Sequence, residues 1–134
     1  MKIIIAIIYV VLFQVSAKLV FAILGGYEMN IGLFGIDWMG VMYMFLISLL
    51  ASMVTVLGVI LAGKNHNTKQ SISIAVIAII ANNIYQFVQS PNWFLNTLES
   101  NTVHIISTNL VFGSVLVAMY YVMSKANQAL NRTP

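Results

Sequence analysis

The sequence predicts an all-α integral membrane protein, a single four-transmembrane-helix bundle over residues 1–134 with both termini in the cytoplasm, and three observations predict it. The chain is 60% hydrophobic and only 7% charged, where a soluble domain carries about 25% charged residues. Its apolar residues gather into four runs of bilayer-spanning length, since a hydrocarbon core about 30 Å thick needs roughly 20 helical residues at 1.5 Å each. Its charges also divide: Lys2, Lys64, Lys69, Lys125 and Arg132 fall on one side of the alternating runs, and Glu28, Asp37 and Glu99 on the other. The positive-inside rule assigns the basic side to the cytoplasm.

The first span runs over residues 3–24. Met1-Lys2 and the following apolar run to Val15-Ser16-Ala17 also have the form of a secretory signal with a small-residue cleavage site. Cleavage there would strand the stretch from Lys18 to Leu24 as half a span, so an uncleaved helix is expected. Within it Gln14 and Lys18 are four residues apart and share a face. The stem of Lys18 is long enough to reach the outer boundary, where the ammonium meets water or pairs with Glu28, Asp37 or Glu99. The connection "GGYEMNIGLFGID" is rich in glycine yet carries Ile31, Leu33, Phe34 and Ile36, and is expected to lie against the interface or cap the bundle.

The second span, over 38–62, aligns Ser48, Ser52 and Thr55 on one face, a small-residue pattern that lets helices approach closely. The polar turn "GKNHNTKQ" follows, with His66 expected in water. In the third span, over 71–89, the stretch "AIIANNIYQFVQS" puts Asn82, Asn83, Gln86 and Gln89 into an apolar helix. Ser90-Pro91 ends it, because proline disfavours helical geometry at the residue before it. The connection "SPNWFLNTLESN" contributes Trp93 as an interfacial anchor, together with Trp38 and Tyr27. The fourth span, over 103–123, brings His104, Ser107 and Thr108 together near its start, with Asn109 turned away from His104 and Tyr120 and Tyr121 at the inner boundary. The tail "KANQALNRTP" is expected to be solvated or frayed.

Depth links the polar residues. With alternating spans, Gln14, Lys18, Asn82, Asn83, Gln86, His104 and Thr108 form an outward-biased cluster beneath the connections bearing Glu28, Asp37 and Glu99. Two readings are open: a site for a ligand or partner, or interhelical glue at about 0.6 kcal/mol per hydrogen bond. Asn82 and Asn83 point about 100° apart, so one is expected to serve the bundle and the other an external partner.

The absence of cysteine excludes disulfides, thiolate metal sites, iron–sulfur clusters and covalent haem attachment. His66 and His104 lie on opposite sides, which leaves no pair of axial haem ligands at one depth. Paired carboxylates, metal-ligand spacing and a nucleophile–base arrangement are all missing, so neither catalysis, nor a metal, nor a cofactor, nor nucleic-acid binding is expected. The expected role is that of a non-catalytic accessory or structural subunit in a bacterial cytoplasmic (inner) membrane, with lipid and other membrane subunits or a second copy as partners. The alternatives are a small oligomeric transporter or channel, where the lack of a membrane-embedded acid counts against proton-coupled export but leaves open a passive pore or an anion pathway at Lys18, and a quinone- or haem-associated redox subunit using His104, Lys18 and nearby amides.

Overall fold

The structure, a computed structural model, describes residues 1–25, 37–62 and 68–132. Tyr27, Glu28, Lys64 and His66 lie outside the described residues, as does most of the glycine-rich connection. Five helices follow in order: α1 (Lys2–Leu24), α2 (Trp38–Leu61), α3 (Thr68–Gln89), α4 (Pro91–Ser100) and α5 (Thr102–Arg132). Four of them, α1, α2, α3 and α5, are long and apolar enough to cross a membrane.

Local chemistry sets their ends. Gly25 closes α1 in the left-handed conformation (φ 79°) and returns its N–H to the Phe21 carbonyl, the usual glycine cap. Asp37 opens α2 as an N-cap, its carboxylate accepting the Gly40 N–H at 3.0 Å. Such a cap satisfies one of the otherwise orphaned donors of the first turn.

Ser90 breaks α3, and Pro91 then starts α4, since the first helical turn is where a missing N–H costs nothing. The connection between the third and fourth spans is therefore largely a short amphipathic helix. Its Thr97 is buried and donates to the Trp93 carbonyl at 2.7 Å, while Trp93, Leu95 and Leu98 remain exposed. The tail is largely exposed over 125–130, in keeping with a solvated segment, but it is helical rather than frayed: α5 continues to Arg132 over 31 residues. At 1.5 Å per residue it is about 46 Å long, against about 30 Å of hydrocarbon.

In the bundle α1 packs on α2 and α3, and α5 packs on the same two helices. The pairs α1/α5 and α2/α3 therefore face each other across the diagonals. Phe21 near the end of α1, Asp37 before α2, Asn82 late in α3 and His104 early in α5 line one cavity. At the opposite end Ile4 and Ile5 of α1 face Gly58 and Val59 of α2. The helices thus alternate in direction, leaving Asp37 and Glu99 at one end, here the acidic end, and Lys2, Lys69 and Lys125 at the other, the basic end.

The core joins Ile5, Tyr9 and Phe13 to Ile47, Val56, Ile74, Phe112 and Leu116. Ser48, Ser52 and Thr55 are all buried on α2. Ser52 and Thr55 donate to their own helix at Leu49 and Ala51 (3.0 and 2.8 Å), so their small side chains admit neighbours without leaving a polar atom unmet. Gly113 does the same between α5 and α3: a Cβ there would stand 2.7 Å from Ile79 Cδ1.

Candidate functional site

Two adjacent amides on α3 build the floor of the site. Asn82, 5% exposed, accepts from Gln14 Nε2 of α1 at 2.7 Å. Asn83 exchanges amide hydrogen bonds with Asn109 of α5 at 3.2 and 3.4 Å and also donates to the Ile79 carbonyl at 2.8 Å. The divergence of the two side chains does not send one outward, as the sequence reading had it, because α3 lies between α1 and α5 and each amide meets a different one of them. Together they tie three helices at one depth.

Beneath this layer the bundle is shut by aromatic rings. Tyr9 stacks on Phe112 at 4.6 Å, and Phe13 meets the same ring edge-on at 4.9 Å. The Tyr9 hydroxyl donates to the Phe112 carbonyl at 2.7 Å, and neither residue has any exposed surface. Since α1 and α5 are diagonal partners, rings that meet between them fill the centre.

Towards the acidic end a cavity of about 370 Å³ opens. Asp37 and Tyr43 border it from α2, Phe21 from α1, Asn82 and Asn83 from α3, Trp93 from α4, and His104, Thr108 and Asn109 from α5. Asp37 is fully buried. The Thr108 hydroxyl donates to the Ile105 carbonyl at 3.0 Å and keeps accepting capacity, and His104 Nδ1 is buried with no hydrogen-bond partner. Among the described residues no lysine or arginine lines the cavity. Among the described residues no group of three or more His, Asp or Glu could hold a metal ion.

The sequence-derived cluster is therefore divided. Gln14, Asn82 and Asn83 join in the amide layer, and His104 and Thr108 line the cavity above it. Asn109, turned away from His104 along the helix, still borders the same space, because the cavity reaches both flanks of α5. Lys18 stands apart. It is exposed on the face of α1 that also carries Val11, Val15 and Ala22, opposite Tyr9 and Phe13, and it forms no ion pair with Asp37 or Glu99. Gln86 is half-buried and outside the lining, and Glu99 is exposed on α4. The sequence places Asp37 only above the cluster, as an outer-face acid, and Trp93 only as an interfacial anchor, whereas both line the cavity. Both had a signal: an acid immediately before an apolar run marks an N-cap, and a proline after a helix stop marks a new first turn.

Among the described residues, one carboxylate, one imidazole, amide and hydroxyl oxygens and three aromatic rings line the cavity. No protein-family model, no curated protein and no solved structure matches this chain.

Proposed function

We propose that the chain is a non-catalytic, multi-pass membrane protein, an accessory or structural subunit of a complex in a bacterial cytoplasmic membrane, with its basic end and both termini in the cytoplasm. The orientation rests on Lys2, Lys69 and Lys125 at the basic end and Asp37 and Glu99 at the other, by the positive-inside rule. The outward faces of the long helices carry exposed isoleucine, leucine and valine, such as Ile7, Val11, Leu50, Val54, Ile80 and Ile84. In water such surfaces mark a site of lipid or protein contact.

The observation that carries the reading is the layer of Tyr9, Phe13 and Phe112. It fills the centre of the bundle between the acidic-end cavity and the basic end, and the amides above it are spent on one another. A channel or transporter built from one chain would have to pass its solute through these rings, whereas a subunit needs only a stable bundle and an apolar exterior. The test is extraction into lipid nanodiscs directly from the native membrane, followed by native mass spectrometry, with ion-flux measurements on the purified chain in vesicles. Other polypeptides in fixed ratio and no flux are expected. A homo-oligomer that conducts would refute the reading.

A further inference from the structure

We propose that the acidic-end cavity binds an organic primary ammonium cation with an aromatic or aliphatic body. The inference stands independently of whether the chain has protein partners.

Charge selects the sign. Among the described residues, Asp37 is the one formally charged side chain in the lining, and it is fully buried. Among the four long helices, the N-termini of α2 and α5 and the C-termini of α1 and α3 meet at this end, and α4 brings one terminus of each kind, so their partial charges oppose each other and leave the carboxylate to set the field. The nearest base along the chain on α1, Lys18, faces outward on the opposite side of that helix from the core. An anion would find no countercharge here, and a neutral occupant would displace water from a carboxylate without replacing its interactions. A metal ion would find too few ligands among the described residues.

The rest of the lining selects an organic cation with N–H donors. Phe21, Tyr43 and Trp93 supply ring surfaces, and an ammonium over such a ring is attracted by its quadrupole. Thr108 Oγ1 offers an acceptor, as does the buried, unpartnered His104 Nδ1 when the ring proton is on Nε2. A volume of about 370 Å³ falls at the lower end of the range for small-molecule pockets, enough for a single ring with a short aminoalkyl arm.

The experiment uses the full chain in phosphatidylcholine nanodiscs, which lack net lipid charge, and equilibrium dialysis of radiolabelled 2-phenylethylammonium. Saturable binding of one molecule per chain is expected, with n-propylbenzene and 3-phenylpropanoate failing to compete. Asp37→Asn retains an N-cap acceptor, so α2 keeps its start, and it should weaken binding about tenfold through loss of the charge. Trp93→Leu, at a half-exposed position, should weaken it about threefold through loss of the ring face. No saturable binding to the folded chain overturns the proposal. So does equal competition by n-propylbenzene, which would make the space a merely apolar crevice, or unchanged affinity in either variant. If Asp37→Asn fails to fold, Trp93→Leu and the two competitors decide.

Discussion

The hydrogen bond between Gln14 and Asn82 should be measurable as a coupling energy, and its size relative to the Asn83–Asn109 pair follows from geometry. The perturbation is a double-mutant cycle of Gln14→Met and Asn82→Leu, both apolar and of similar bulk. Between helices in a membrane such bonds average about 0.6 kcal/mol and reach about 1.7. At 2.7 Å this one is at the short limit for N–H···O, and Asn82 is 5% exposed, which places the expected coupling above that average, at about 1 kcal/mol. The Asn83–Asn109 bonds are longer, at 3.2 and 3.4 Å, and Asn83 also donates to the Ile79 carbonyl. Its cycle, Asn83→Leu with Asn109→Leu, should return about half as much. Equilibrium unfolding by dodecyl sulfate titration in mixed micelles, followed by far-UV circular dichroism, reads both cycles. Coupling of Gln14 and Asn82 within the roughly 0.3 kcal/mol over which independent sites add, or the reverse order of the two pairs, would refute the reasoning.

Gly113 should distinguish a soft contact from a hard one. Alanine there meets only the end of Ile79, which can change rotamer, and should cost little; leucine overfills the α3–α5 seam at Ala75 and Ile79 and should cost about 1–3 kcal/mol in the same unfolding assay. Lys18→Leu and Gln86→Leu remove side chains that make no hydrogen bond or ion pair among the described residues, and each should leave stability within about 0.5 kcal/mol of the parent. A larger loss in the Lys18 variant would point to a partner for its ammonium, and in the Gln86 variant to an amide contact of its own.

The four long helices were legible because a spanning helix is written as a run of apolar residues, and Ser90-Pro91 marked the stop of α3. Which way each helix faces was not. An amphipathic helix in water announces its buried side by periodicity, but α1 is apolar all round: buried Ile5, Tyr9 and Phe13 alternate with exposed Ile4, Ile8 and Val11 of the same chemistry. Nothing in that pattern says that Gln14 turns to α3 while Lys18 turns outward. The same blindness hid the Asn83–Asn109 pair, which exists because α3 stands between α1 and α5, a fact of tertiary arrangement. The α4 helix escaped for another reason. At ten residues, with Asn92, Asn96 and Glu99 among its apolar positions, it resembles a polar connection until Pro91 is taken as a first turn rather than only a stop.

The length of α5 has a mechanical consequence. Both prolines, Pro91 and Pro134, lie outside it, and its one glycine, Gly113, packs closely against Ile79, so the helix has neither of the residues at which helices most often kink free to do so. From His104 in the cavity wall to Lys125, which lies 5.7 Å over the Tyr121 ring, runs a lever about 32 Å long. A tilt of about 5° at the cavity would displace the far end by about 3 Å, more than half the pitch of one turn. The basic-end extension of α5 is thus geometrically linked to the space between Asp37 and His104.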